Sequence, residues 1–337
     1  MKKIFFICIA ILFCKPLVNA QVNISPLYLY DRVDPFKPEM IAKLKNSTLA
    51  FFYRKNEEAK LDEFKKAFSQ TWDLTKVEFV PIDKLSEYEK KPNYSYFAPT
   101  VFTVSQSDIN FVYGLWIDNG DKKRYKIASI PLEEIWGSPA FKAIHSIRGD
   151  RTNGSVQEQL MPIYYNEMIY TNLLPGFFKM YLAQLNIYLK KGETKKLYVE
   201  VAPDEIEIKG LKEKTLYISK NSIELSGPLR ASAYDKDHNY TEETVAAEEK
   251  RLFANYPGKI KVVSNQELSD IILNAKEDTY FLEVSRGYGV AATSKGYIAV
   301  SNAKTGKIVY GDTRIISNLK PSHFEDLIKK INGDFSK

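Results

Sequence analysis

Residues 44–53 read LKNSTLAFFY and residues 211–219 read LKEKTLYIS. In both, a Leu-Lys pair, two polar or charged residues and a Thr-Leu pair lead into a short apolar run that reads as a strand. The two stretches lie 167 positions apart, from Leu44 to Leu211. Further matches keep the same order outward from them. Upstream, Leu27-Tyr28 answers to Leu197-Tyr198. Downstream the spacing widens after a longer loop in the second copy, at about residues 220–243. Lys84-Leu85-Ser86-Glu87 stands 183 before Glu267-Leu268-Ser269-Asp270, and Tyr96-Phe97 stands 184 before Tyr280-Phe281. Asp118-Asn119-Gly120-Asp121 stands 184 before Asn302-Ala303-Lys304-Thr305, and Phe141 and Ile144 stand 183 before Phe324 and Leu327. Each match is short, but the ordered series predicts an internal duplication.

The element pattern agrees with it. In the first copy, 48–53 is an aromatic and apolar strand. Residues 58–71 are a helix with Leu61, Phe64, Ala67 and Phe68 on one face, and 76–82 alternate as a second strand. A short helix at 84–88, strands at 100–104, 111–117 and 125–130, and a helix near 138–146 complete the unit. The last two strands are joined by an Asp-Asn-Gly turn, a hairpin signal. The second copy predicts strand 215–219, helix 243–255, strand 259–264, helix 266–274, strands 279–285, 296–302 and 307–311, and helix 321–331. The chain therefore reads as α/β (α+β): two tandem related mixed-sheet domains, at 21–150 and 195–337.

Between them, 151–194 has no counterpart. Its stretch 156–190 is helical in pattern and broken near Leu174-Pro175-Gly176, and from Leu160 to Leu189 only Glu167 and Lys179 are charged. An apolar helical connector buried against one or both repeats is the expectation. A docking or membrane-surface helix is the alternative, but basic residues do not line one of its faces.

The chain opens as an export signal. Lys2 and Lys3 precede an uncharged run from Ile4 to Cys14, and Val18-Asn19-Ala20 offers a cleavage site, so 1–20 reads as a signal peptide with Gln21 as the mature start. The apolar run is too short to span a bilayer, which takes roughly 20 residues. Cleavage removes Lys2, Lys3 and Lys15 and lowers the formal charge from +6 to +3, leaving 45 basic against 42 acidic residues. That balance carries no case for nucleic acid. Both cysteines, Cys8 and Cys14, also leave with the signal, so disulfides and thiol chemistry are excluded from the mature chain. Export without disulfides points to a bacterial periplasm or cell surface.

Catalytic and metal-binding patterns are sparse. The three histidines, His145, His238 and His323, have no metal-ligand spacing and read as surface or capping residues. No G-x-S-x-G or S-x-x-K set supplies a serine nucleophile. The glycines of Arg286-Gly287-Tyr288-Gly289 are followed by a strand rather than a helix, which argues for a wide hairpin loop and against a phosphate cradle. Arg286 and Tyr288 in that loop, with Tyr297 on the following strand, are the candidate contact residues. Glu283, inside the apolar run TYFLEVS, reads as lying on a solvent face. Of the 22 tyrosines, Tyr53, Tyr125, Tyr217, Tyr280 and Tyr310 fall at core-facing strand positions. No cofactor is implied.

The stretch Asn302-Ala303-Lys304-Thr305-Gly306-Lys307-Ile308-Val309-Tyr310 resembles a D-A-x-T-G-x-I-v hairpin of exported bacterial envelope proteins of the curli-secretion and peptidoglycan-synthase-activator type. The resemblance implies a small non-catalytic α/β domain that works through protein contacts. The first copy departs from it, with Asp118-Asn119-Gly120-Asp121-Lys122. Two functions follow as expectations. One is an exported binding or envelope-assembly protein with an envelope protein or glycan as partner. The other is a hydrolase of glycan or cell-wall substrate, using carboxylates in a cleft between the repeats.

Overall fold

The computed structural model describes residues 22–23, 38–88, 91, 93–105, 108–118, 124–132, 163, 169–192, 195–196, 201–224, 241–286, 295–316 and 319–336. The expected signal peptide at 1–20, the expected helix near 138–146, most of the first half of the connector and the loop expected at 287–294 lie outside the described residues. In chain order the elements are β1 (Val22–Asn23), α1 (Pro38–Lys45), β2 (Thr48–Tyr53), α2 (Leu61–Thr71), β3 (Lys76–Pro81), α3 (Leu85–Tyr88), β4 (Tyr94–Ser105), β5 (Asp108–Asp118) and β6 (Arg124–Pro131). The chain continues through α4 (Pro175–Lys191), β7 (Lys195–Lys196), α5 (Glu205–Gly210), β8 (Thr215–Ser219), α6 (Glu242–Leu252), β9 (Lys259–Val263), α7 (Asn265–Asn274), β10 (Tyr280–Arg286), β11 (Lys295–Asn302), β12 (Ile308–Ile315) and α8 (Glu325–Ile331).

The first sheet runs β3-β2-β4-β5-β6, with the two-residue strands β1 and β7 added beyond β6; the second runs β9-β8-β10-β11-β12. Both begin with three parallel strands, and both continue through two antiparallel ones. The agreement extends to single rungs. Leu49 faces Val77 and Ser95, and Leu216 faces Ile260 and Tyr280. Each sheet also has a β-bulge on its last hairpin: Leu115 pairs with Ala128 and Trp116 with Lys126, while Val300 pairs with Tyr310 and Ser301 with Ile308. The residues skipped, Ile127 and Val309, are both buried. Generic α/β vocabulary does not require a bulge on the same rung of the same hairpin.

This register corrects one of the matches. Thr48-Leu49 and Thr215-Leu216 are equivalent at an offset of 167, because Leu49 and Leu216 both face the helices that flank their own strand, α1 and α2 or α5 and α6. The third strand sits at 185, with Phe97 equivalent to Leu282, and not at 184 as the Tyr-Phe pairs suggest. A slip of one residue sends a side chain to the opposite face. Phe97 and Phe281 look alike but point to opposite sides of their sheets. The third strand of the first sheet also starts at Tyr94, six residues before the expected 100.

Five layers result. Ala50, Phe52 and Tyr96 form a small core under α3 on the outer face of the first sheet. Its inner face, with Leu49, Phe51, Phe97 and Tyr113, packs on α1, α2 and α4 in a core that continues into Leu268 and Ile272 of α7 and into Phe281, Tyr297 and Ala299 of the second sheet. The far face of the second sheet carries a separate core with α5, α6 and α8. The connector helix α4 therefore covers the α2 side of one repeat and the α7 side of the other. Those sides are not equivalent, so the repeats stack head to tail and are not related by a two-fold.

Phe178 of α4 is 0% exposed. Its ring centroid lies 5.2 Å from Phe51, 5.6 Å from Phe64, 5.7 Å from Phe68, 5.3 Å from Phe97 and 5.8 Å from Tyr113. On the other flank Phe177 stands 6.5 Å from Phe281. Pro175 occupies the first turn, where its missing N–H costs nothing. Gly176 beside it lets α7 approach, since a Cβ there would fall 1.9 Å from the Ser269 carbonyl oxygen. The described helix of the connector, α4, is thus a shared core element, as its largely uncharged sequence predicts.

Replacing Phe178 with alanine is expected to lower stability by about 3–5 kcal/mol. Urea unfolding followed by tyrosine and tryptophan fluorescence measures it. Loss of signal from both repeats in one transition is the outcome expected of a common core.

Candidate functional site at the carboxyl ends of the parallel strands

In open α/β sheets, ligands bind beyond the carboxyl ends of the strands. Both sheets present these ends on the same side of the molecule, because α2, α4 and α7 run in the same direction. Lys60 meets Gln266 at their starts, and further along Lys66 Nζ, from the middle of α2, donates to Asn274 Oδ1 (2.6 Å) at the end of α7. Gly176 N donates to Ser269 Oγ (2.9 Å), and Asn186 Nδ2 donates to Asp73 Oδ1 (3.0 Å) just past α2.

On the first sheet this edge is dominated by Arg54, which follows the apolar strand β2 and is 1% exposed. Its backbone N and Nε donate to Glu57 Oε2 at 3.0 and 2.9 Å, and its Nη2 donates to Glu57 Oε1. The guanidinium lies 4.8 Å from the centroid of the Tyr170 ring. Burial acts to lower the Arg54 pKa, but the hydrogen bonds and charge of Glu57 outweigh it and hold the group above its ordinary value. Both ions are desolvated, and each is the other's compensation.

Residues 170–174 tie this edge to the second repeat. Tyr170 packs under Arg54, the Thr171 carbonyl accepts from Asn265 Nδ2 (3.2 Å) at the start of α7, and Asn172 Nδ2 donates to the Tyr181 hydroxyl (3.3 Å). At the other end of α7, Lys179 of α4 donates to the carbonyls of Ile272 (2.8 Å) and Leu273 (3.4 Å). A cation suits the carbonyls of a last helical turn and the negative end of the helix dipole. Burial, followed by the charge of Lys66, lowers the Lys179 pKa.

The second sheet receives the sequence-selected residues, and two readings change. Tyr297 is 4% exposed and belongs to the common core beneath α4, so its ring offers no outer contact surface. Glu283 is 9% exposed and is not on a solvent face. Its neighbours Leu282 and Val284 point into the far core, which turns Glu283 with Phe281 toward the central layer. The alternation rule assumes one wet face, and this sheet is covered by helices on both. Ser219 ends the adjacent strand, and its Oγ lies 3.3 Å from that of Ser222. Arg286 is the last residue of β10, opposite Gly296. Its side chain and the whole of Tyr288 lie outside the described residues. The structure therefore brings Glu283 and Tyr297 to one face and leaves Arg286 at the rim.

The turn carrying the family resemblance serves the fold. Asn302 Oδ1 accepts from the backbone N of Lys304 (3.0 Å) and Thr305 (3.3 Å), and its Nδ2 donates to Asp278 (3.1 Å) and Glu207 (3.3 Å). Gly306 adopts φ 72° and presses on α4, where a Cβ would fall 2.6 Å from that of Ala183; its carbonyl accepts from Gln184 Nε2 (3.0 Å). Lys307 bridges Asp204 and Glu207 and is held above its ordinary pKa by those two hydrogen bonds. His323 accepts from Lys320 N through Nδ1 (3.2 Å), in the capping role expected of it.

Among the described residues no group of three or more histidine and carboxylate side chains is placed to hold a metal, and no helix is long and apolar enough to cross a membrane. Comparison with protein-family profiles, with curated proteins and with solved structures finds no match. Arg54 and Glu57 were not among the residues expected at a site, and Lys179 stood out in the sequence just as a charge within the apolar connector. A charge directly after a fully apolar strand, with its counter-charge three residues on, was the available signal for the first pair.

Arg54→Met leaves Glu57 buried and unpaired and is expected to destabilise the chain by about 3–5 kcal/mol, whereas Arg54→Met/Glu57→Leu recovers most of the loss. A double-mutant cycle by urea denaturation checks this. A double-variant loss equal to the sum of the losses of Arg54→Met and Glu57→Leu alone would show that the pair is not coupled.

Proposed function

We propose that this chain is an exported, non-enzymatic binding protein that acts through contacts with an envelope protein or glycan. One observation carries the reading: the space between the repeats, where a duplicated enzyme would build its cleft, is filled by α4 and its aromatic neighbours around Phe178. The buried ionic groups are tied to partners within the chain, Arg54 at the carboxyl strand ends to Glu57 and Lys179 at the opposite side to the last turn of α7. The N-terminal signal pattern and the loss of both cysteines with it support an address in the periplasm or at the cell surface. The short hairpin resemblance to envelope proteins agrees with a contact role. The alternative, a hydrolase working between the repeats, meets an apolar layer there among the described residues.

The test is expression of the full chain in a bacterial host, followed by envelope fractionation, N-terminal sequencing and cross-linking in place. The expected outcome is a mature form beginning at Gln21 in the envelope fraction, cross-linked to a specific partner. Retention in the cytoplasm would remove the address. Release of soluble fragments from purified cell-wall glycan by the mature chain would reverse the ranking of binding over hydrolysis.

A further inference from the structure

Covering the sheet faces with helices leaves the edges as the places where backbone groups meet solvent. The edge strand β9, with sequence KIKVV, ends the second sheet, and among the described residues its only backbone ladder is the one with β8. Its two sides differ chemically. Lys259 and Lys261 are exposed on the side of the central layer, where Lys261 Nζ lies 6.0 Å from the centroid of the Tyr217 ring. Ile260 and Val262 are half-buried on the far side, beside Tyr256 at the margin of the outer core. The nearby acid Glu267 is committed to the backbone N of Ser264 (2.8 Å) in the capping box of α7. The charge of Lys261 acts on this carboxylate too, but among the described residues neither lysine forms a close ion pair with it.

Resting on the binding reading above, we infer that β9 accepts an extended acidic segment of a partner polypeptide as an added strand. The backbone supplies the hydrogen bonds. The two sides of β9 select alternate residues, with carboxylates toward Lys259 and Lys261 and β-branched side chains toward Ile260 and Val262. The same lysines refuse a second copy of this strand, because pairing β9 with itself sets like charges against one another. The equivalent edge β3 lacks this character. It ends in Pro81, and its Glu78 is held by the hydroxyls of Tyr88 and Tyr94.

The probe is an acetylated, fluorescently tagged eight-residue peptide of alternating glutamate and valine, titrated into the mature chain at low salt by anisotropy. Saturable binding is expected, weakening about tenfold in Lys259→Glu/Lys261→Glu, as opposed charges become like ones. Hydrogen exchange of the β9 amides should slow on binding. A proline at the centre of the peptide should abolish binding by breaking the added ladder. Equal binding of the proline peptide, no effect of the lysine substitutions, or no binding at millimolar peptide each overturns the inference. Circular dichroism of the double-lysine variant confirms its fold, since both side chains are exposed. Cross-linking with that variant separates the two readings. A partner held equally by wild type and variant removes β9 and leaves the binding function standing, whereas no partner for either removes both.

Discussion

A helix with a sheet on each side has no wet face, and α4 has to satisfy that constraint from Pro175 to Leu185, before its last turns reach solvent at Ile187 and Lys190. Amphipathic patterning is no use to it; it must be apolar all round. From Leu174 to Leu189 the only charge is Lys179, and that ammonium reaches the carbonyl oxygens at the end of α7. The other features of the central layer follow. Gly176 is small so that α7 can come close, Gly306 bends the β11–β12 turn onto Ala183, and Gln184 meets the carbonyl that the turn exposes. Removing α4 would strip the inner faces of both sheets at once.

Head-to-tail stacking explains how the repeats diverged. Ser301 and Ala303 are small and fully buried where the second sheet meets the central layer. At the rung equivalent to Ser301 the first sheet carries Trp116 on its outer face, and its indole closes over Gly114, where a Cβ would fall 2.4 Å from Nε1. The ladder, its register and its bulge are kept while side-chain volume follows what covers each face. A two-fold arrangement would have placed equivalent faces together and spared them this difference.

The strands were legible where apolar runs are bounded by polar turns, as at β2 and β8, and α2 was legible from the spacing of Phe64, Ala67 and Phe68. What failed was parity. Matching Tyr96-Phe97 to Tyr280-Phe281 compares ring with ring, but a ring at an even position and one at an odd position serve different cores. The same blind spot put Glu283 in solvent and Tyr297 on a surface. The run Tyr297-Ile298-Ala299-Val300 held a usable warning, since four consecutive apolar residues in a strand indicate burial on both faces. The Arg54–Glu57 pair is local enough to have been read. The contact of Lys179 with Ile272 spans 93 residues, and no local pattern encodes it.

If both inner faces and the outer face of the second sheet are committed to helices, recognition has to use the rims. The two repeats inherit the same rim, but selection has treated β3 and β9 differently. At β3 the half-buried acid Glu78 accepts from two tyrosine hydroxyls, which hold its carboxyl below its ordinary pKa, and a proline stops the strand. At β9 the charges stay in water on one side, with half-buried aliphatic residues on the other. Lysine on an edge is a common defence against unwanted pairing. Defence alone requires charge and gives no reason for two chemically distinct sides. An edge that refuses its own copy and still offers an alternating surface has the form of a selective one.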